Sequence, residues 1–338
     1  MGLIGSSAFS CGPAASEAEV LGFDGVWASE SVTDSFLQSQ AALMATKDIT
    51  VGTAIAVAFA RNPMSTAYLA WELAAMSGGR FTLGLGSQVR AHVERRFSMP
   101  WGSPIPRMRD FLQALDAILT AWREGTRLDH QGEYYQHTLM TPVFTPHHHE
   151  HEIPTMIAAI GPKMTELGGE LCDGLLLHGM TTTTYLDEVT LPALERGLAA
   201  SGRKRSDVEL YVPLFMVMGD TEEELAERTR NVREQIAFYA STPAYRPVLE
   251  SVGYGELQPE LQAMSRQGLW SEMGEQIDDT LLHEIALIGS PEDMPALCRQ
   301  RYAGRLDRVS SYYTWPSDDP ERLKEILAGF AGSTEESP

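Results

Sequence analysis

The sequence is poor in the residues and motifs that mark several large protein classes. It has three cysteines, Cys11, Cys172 and Cys298, in 338 residues. Three widely spaced thiols cannot all pair and form neither a disulfide framework nor a zinc knuckle, so a reducing compartment is expected. No apolar run reaches the roughly 20 residues that span a bilayer. The opening MGLIGSSAF lacks the basic start and continuous apolar core of a signal peptide. Cytoplasmic localisation and no membrane partner are therefore expected. Cations are scarce too, with 26 Lys and Arg against 46 Asp and Glu and a formal charge of -20. Such a balance withholds the positive footprint of a nucleic-acid binder. The chain also lacks a triphosphate-binding loop, the glycine fingerprint of a dinucleotide fold after a strand, and a nucleophile elbow.

Histidine is concentrated in one place, at His147, His148, His149 and His151. Consecutive histidines in an extended loop splay apart, and no carboxylate–histidine motif joins them. A solvated loop and no metal are the expectation.

What is present is the pattern of an α/β enzyme. Hydrophobic residues make up 43% and charged residues 21%, an ordinary balance for a globular fold with a large core. The most informative stretch is 49–109. Apolar runs at 50–57 and 80–86 flank a helical pattern at 64–77 that Gly78 and Gly79 stop. This is a βαβ unit. Further strands are expected at 3–4, 25–29, 155–160, 174–178, 210–218 and 306–313. Helices are expected at 11–21, with Pro13 near the first turn, and at 36–46, 107–123, 185–201, 291–302 and 319–330, and a further one is opened by Gly161, Pro162 and Lys163. Residues 87–106 read as a long loop, 128–137 as a small hairpin, 238–283 as an insertion and 332–338 as a flexible tail. About eight strand–helix repeats favour a (β/α)8 TIM barrel, taken as a single domain over 1–331, above a doubly wound sheet.

In a parallel fold, ligand loops lie at the carboxyl ends of strands. Glu30 and Asp34 follow the strand at 25–29, His92 and Glu94 follow 81–86, and His178 follows 174–178. A carboxylate or imidazole in such a place can donate or accept a proton, and Glu30, Asp34 and His178 are the catalytic candidates. Ala159, Gly161, Pro162 and Lys163 end a strand and open a helix. Backbone N–H groups and the Lys163 charge there can cradle a phosphate. Thr53 and Ala54, and Gly86 and Ser87, lie where small residues leave room for a planar ring. A bulge at Thr53 and Ala54 could aim backbone N–H at such a ring. Arg90, Arg95, Arg96, Arg107 and Arg109 add local positive charge, Arg107 and Arg109 alternatively as helix-surface groups.

Six segments carry a family resemblance: LGFDGVWASE, TVGTAIAVAFARNPM, LAAMSGGRFTLGLGSQVRAHVERRF, IPRMRDF, AAIGPKMTELGGELCDGLLLH and LPALERGL. Together they resemble the bacterial-luciferase-like superfamily over residues 14–313, and in particular its branch of coenzyme-F420-dependent oxidoreductases. The resemblance implies a TIM barrel with insertions and a deazaflavin or flavin across the carboxyl ends of the strands. It implies a non-proline cis peptide near Thr53 and Ala54 behind the ring, and phosphate contacts at Gly161, Pro162 and Lys163. It also implies ring and tail contacts at Gly86 and Ser87, and polar positions near the ring at Glu30 and Asp34. The implied activity is hydride transfer between C5 of F420 and a small-molecule substrate with a conjugated C=C, C=N or C=O bond, such as a biosynthetic intermediate. FMN with monooxygenase chemistry is the alternative, and a non-catalytic subunit of a heteromeric luciferase-like pair is a third reading. A homodimer through the helices at 36–46 and 64–77 is expected from the same resemblance.

Overall fold

A computed structural model describes residues 1–2, 7–313 and 319–331. The expected strand at Leu3 and Ile4 and the expected tail 332–338 lie outside the described residues. Gly2 does form a parallel bridge to Trp27. The chain divides into two compact units. The first contains Met1–Ala159, Lys163–Leu176 and Arg196–Val208; the second contains Ile160–Pro162, Leu177–Glu195 and the chain from Glu209 onward.

The strands are β1 (Gly25–Ala28), β2 (Thr50–Thr53), β3 (Ala56–Val57), β4 (Phe81–Gly86), β5 (His130–Gln131), β6 (Gln136–His137), β7 (Thr155–Ala158), β8 (Gly174–Leu176), β9 (Glu209–Leu214), β10 (Met216–Met218), β11 (Leu287–Gly289) and β12 (Arg308–Ser311). The helices of the first half are α1 (Ala8–Leu21), α2 (Ser35–Ala45), α3 (Pro63–Ser77), α4 (Arg90–Arg95), α5 (Pro104–Glu124), α6 (Pro162–Leu171), α7 (Thr183–Tyr185) and α8 (Leu191–Ser201). Those of the second half are α9 (Glu222–Ala240), α10 (Arg246–Ser251), α11 (Leu257–Gln267), α12 (Trp270–Gly274), α13 (Asp279–Ile285), α14 (Met294–Tyr302) and α15 (Pro320–Ala331).

Strand–helix alternation with parallel pairing gives the expected α/β class and the luciferase-like TIM-barrel type. In the first unit β1 pairs β2, β2 and β3 pair β4, β4 pairs β7 and β7 pairs β8, all parallel. In the second unit β9 pairs β12 and β10 pairs β11, again parallel. The β4 and β7 residues Leu83, Leu85 and Ile157 are fully buried, as strands covered by helices on one face and core on the other require. The hairpin at 128–137 is present as β5 and β6, antiparallel. Its Gly132 is obligatory, because a Cβ there would run into the carboxylate of Asp110. Asp110 in turn holds His130 and the backbone N–H groups of Tyr134 and Tyr135.

The scaffold role of SGGRFTLGLG is visible at Arg80. Its guanidinium donates to the carbonyls of Leu43, Thr46, Ile49 and Ser77 and to Thr46 Oγ1, at 2.9–3.1 Å. One side chain thus satisfies the carbonyl end of α2 and ties it to the end of α3. From α1, Glu19 reaches the N–H groups of Lys47, Asp48 and Ile49. Those bonds, led by the one from Asp48, hold its carboxyl below the usual range. The three thiols form no disulfide and are buried, and burial pushes those of Cys172 and Cys298 up, Cys298 to about 12. They are inert core groups.

Several expected boundaries are corrected. Helix α1 starts at Ala8, not residue 11, because Ser7 and Ser10 form a reciprocal cap, which puts Pro13 inside the helix. The loop 87–106 carries α4 and the start of α5. The helix after Tyr185 begins earlier, at Thr183, and contains a π-helical turn over Leu186–Thr190. The expected strand 50–57 is interrupted after Thr53 by a cis peptide between Ala54 and Ile55, one residue beyond the expected place. The strand 210–218 is two strands broken at Phe215, with β9 and β10 paired to different partners. β11 lay hidden because three residues give no readable alternation.

Arg107 is buried rather than on a helix surface: its Nη1 donates to the Pro100 carbonyl and its guanidinium lies 4.4 Å from the Phe59 ring centroid. The histidine loop is only partly solvated. His149 lies 4.0 Å from the Trp71 ring and its Nε2 meets the Trp71 carbonyl at 3.2 Å. Trp71 Nε1 donates to the His147 carbonyl, so the loop is docked on α3.

Candidate functional site

In the first unit, a polar cluster forms at the carboxyl ends of β1 and β3. Arg61 Nη1 donates to both oxygens of Glu30, at 2.9 and 2.7 Å, and Arg61 Nη2 donates to Asp34 Oδ2 at 2.5 Å. The Val57 N–H donates to Glu30 Oε2 at 2.8 Å. Asp34 also caps α2, with Oδ1 accepting from Phe36 and Leu37. The Glu30 and Arg61 side chains are only 6% and 14% exposed, so this is a buried ion pair completed by a backbone donor. Burial opposes the Arg61 charge, but Glu30 and then Asp34 outweigh it and raise the guanidinium above its ordinary value. The two carboxylates expected to donate or accept a proton thus converge as hydrogen-bond acceptors on one arginine. Arg61 is not among the residues the sequence singles out, because only the fold brings it to Glu30 and Asp34.

Thr53, expected against a ring, is fully buried. Its hydroxyl donates to the Gly84 carbonyl at 2.7 Å and accepts the Gly84 N–H at 2.9 Å. Its one donor is used within the fold, and burial closes the side chain to solvent. Gly84 is small because a Cβ would meet the Thr53 carbonyl, and Gly86 because a Cβ would lie 2.8 Å from Ile55. These glycines therefore serve close packing of β4 against the interrupted strand. The partly exposed atoms are on Ala54 and Ile55, at the cis bond, with Ala54 N–H held by the Ala28 carbonyl at 2.8 Å. Ser87 is half-buried and donates to the Gln88 carbonyl. Gln88 has φ 60°, an uncommon value for a residue other than glycine, and turns the chain immediately after β4. Ser29 Oγ, at the end of β1, is buried without a hydrogen-bond partner among the described residues. His92 and Glu94 lie on α4, where Glu94 pairs with exposed Arg90.

After β7, Ala159 is buried and its N–H donates to the Leu176 carbonyl. Pro162 opens α6 at its first position, as its fixed φ and missing N–H favour. Gly161 needs neither a positive φ nor a close approach: a Cβ there would meet nothing within 4 Å. Pro162 and Lys163 are exposed. Lys163 forms no ion pair among the described residues and stands in the first turn of a helix, where a cation opposes the helix dipole unless an anion accompanies it. Open space over glycine, a helix start and an uncompensated lysine fit a phosphate group.

In the second unit, His178 follows β8 and lies among tyrosines. Its ring centroid is 4.3 Å from Tyr239, 5.1 Å from Tyr245 and 6.3 Å from Tyr312. Burial lowers its pKa to about 4, so the imidazole is neutral near pH 7. Nδ1 accepts the Met180 N–H at 3.0 Å, which assigns the ring proton to Nε2. His178 can hold an oxygen by hydrogen bonding; it cannot serve as a cationic acid at neutral pH. The tyrosines were missed in the sequence, though Tyr312 and Tyr313 at the end of an expected strand were a readable signal.

The family model described as luciferase-like monooxygenase matches residues 13–308 of this chain. An uncharacterized protein of Mycobacterium tuberculosis (strain ATCC 25618 / H37Rv) is 49% identical over 289 residues, covering 85% of each chain. The 5,10-methylenetetrahydromethanopterin reductase of Archaeoglobus fulgidus is 25% identical over 284 residues, covering 82% of this chain and 81% of the reductase. Among solved structures, the coenzyme F420-dependent tetrahydromethanopterin reductase from Methanopyrus kandleri matches with a TM-score of 0.77. That match covers 97% of this chain and 96% of the reductase at 18% identity, a likeness of fold.

Proposed function

The chain belongs to the luciferase-like monooxygenase family, and from that premise we propose that it is an F420-dependent oxidoreductase acting on an uncharged C=C, C=N or C=O bond of a small organic substrate. The observation that carries the cofactor assignment is the start of α6. Gly161 leaves open space, and Lys163 supplies a cation with no protein partner among the described residues. The choice of a deazaflavin rests on the reductase relatives. When bound, F420 supplies a hydride from C5 and so performs two-electron chemistry.

The residues of this chain have the remaining tasks. Gly161, Pro162 and Lys163 hold the phosphate. Ala54 and Ile55 present their partly exposed atoms to the ring. Glu30, pinned by Arg61, fixes the Val57 N–H and with it the strand segment that follows the cis bond. In this role Glu30 and Asp34 position the strand ends. In the second unit, His178 donates from Nε2 to a substrate oxygen and stabilises negative charge developing on that oxygen.

We further propose a homodimer. Leu37 and Met44 on α2 and Leu69 and Met76 on α3 are exposed large apolar side chains, seven residues apart on each helix. That spacing makes a stripe along each helix, and two such stripes on adjoining helices form a surface a second copy can cover.

The cofactor assignment is tested by Lys163→Ala. F420 affinity should fall about tenfold or more with the melting temperature unchanged. Unchanged affinity would remove Lys163, and the helix start with it, from the site.

A further inference from the structure

The second unit ends its strands in aromatic rings rather than charges. Phe215 comes directly after β9, and Tyr312 and Tyr313 directly after β12. Tyr239 and Tyr245 come from α9 and the turn beyond it. Phe215 and Tyr312 stack at 4.7 Å, and the hydroxyls of Tyr239 and Tyr312 are hydrogen-bonded. This group rests on a buried floor that includes Ile236, Leu249 and Leu281. Yet His178, Tyr239, Tyr312 and Tyr313 all keep part of their surface exposed. They form an accessible aromatic surface, not merely a core.

Among the described residues, no charged side chain forms an ion pair, a hydrogen bond or a cation–ring contact with His178, Tyr239, Tyr245, Tyr312 or Tyr313. Burial, with neighbouring tyrosines, raises Tyr239, Tyr245 and Tyr313 above the ordinary phenol value, and burial lowers His178. A carboxylate or phosphate placed here would lose hydration and find no cation in return. A planar neutral group would meet ring faces and edges, worth more than its area alone. The donors available to it are the neutral Nε2–H and phenol hydroxyls, which suit a carbonyl oxygen.

We propose that this aromatic surface is the substrate-holding wall, and that it takes the uncharged, planar, conjugated end of an enone or aryl ketone, with its carbonyl oxygen on His178 Nε2–H. The inference rests on the oxidoreductase reading above and narrows its substrate class. Selection against anionic substrates follows from the wall itself, because an unpaired buried charge discriminates more strongly than a lost apolar contact.

The test is a calorimetric titration of the full chain, with and without oxidised F420, which carries no hydride and allows no turnover. The probes are benzylideneacetone, an uncharged aryl enone, and cinnamate, the same skeleton ending in a carboxylate. Benzylideneacetone should bind at least about tenfold more tightly than cinnamate. Tyr312→Phe should retain that affinity within about twofold, and Tyr312→Leu should lose about tenfold while circular dichroism and F420 affinity stay unchanged. Tyr313→Lys should narrow or reverse the preference by giving the carboxylate a partner. Equal or tighter binding of cinnamate to the unaltered chain, binding of neither probe, or full affinity in folded Tyr312→Leu would overturn the wall. F420 binding without enone preference refutes the wall alone. Enone preference without F420 binding refutes the cofactor assignment and leaves the wall standing.

Discussion

Arg61 holds the polar end of the first unit together. It pairs with Glu30 and Asp34 at once while lying over the Phe36 ring at 5.3 Å. Removing one member of a buried pair strands the other's charge, so Arg61→Ala should cost about 3–5 kcal/mol in a urea melt. Glu30 and Asp34 could be singled out in the sequence as strand-end carboxylates. Their common partner could not, since Arg61 is 31 residues from Glu30 and only the fold brings them together. His178 is legible in the same limited way: its position is readable, its neutral state is not, because the tyrosines that desolvate it are 61 or more residues away.

The His178 state has a measurable consequence for stability. Its folded value of about 4 lies below the ordinary 6.5, so between these values the unfolded chain binds a proton that the folded chain refuses. The stabilisation is therefore complete above pH 6.5 and lost as pH falls toward 4. Denaturant melts across that window should show wild type losing stability faster than His178→Gln. Parallel pH curves would show that His178 is not held neutral.

At the scale of elements, glycines separate scaffold from site. At Gly84 the Thr53 carbonyl fills the place of a Cβ; at Gly161 nothing does. Gly84→Ala should destabilise by about 3 kcal/mol or more, since backbone must move. Gly161→Ala should change stability by no more than about 0.5 kcal/mol yet weaken F420 binding. Thermal melts and cofactor titrations on the same two variants separate the roles. The sequence shows glycine at both positions and cannot say what faces them. Element boundaries were hidden for a similar reason. A continuous apolar run at 50–57 conceals a break that depends on Ile55 packing over Gly86, and the run at 210–218 conceals a change of pairing partner at Phe215. By contrast β4, α6 with Pro162 at its start, and the hairpin around Gly132 were readable, because local turn and cap chemistry decides them.

For the whole molecule, the α/β alternation and the parallel barrel type were legible because they follow from repeated local patterns. The oligomer is a matter of surface, and the apolar stripes on α2 and α3 are visible as unpartnered only once burial is known. Light scattering should report a dimer, and Leu37→Glu combined with Met76→Glu should give a folded monomer; a monomeric wild type would refute the interface. The central claim is the cofactor, and an anaerobic equilibrium titration of the purified chain with F420 and with FMN tests it most directly. F420 should bind with a dissociation constant on the order of micromolar or below, and FMN much more weakly. Tighter binding of FMN, or binding of neither, would contradict an F420-dependent oxidoreductase.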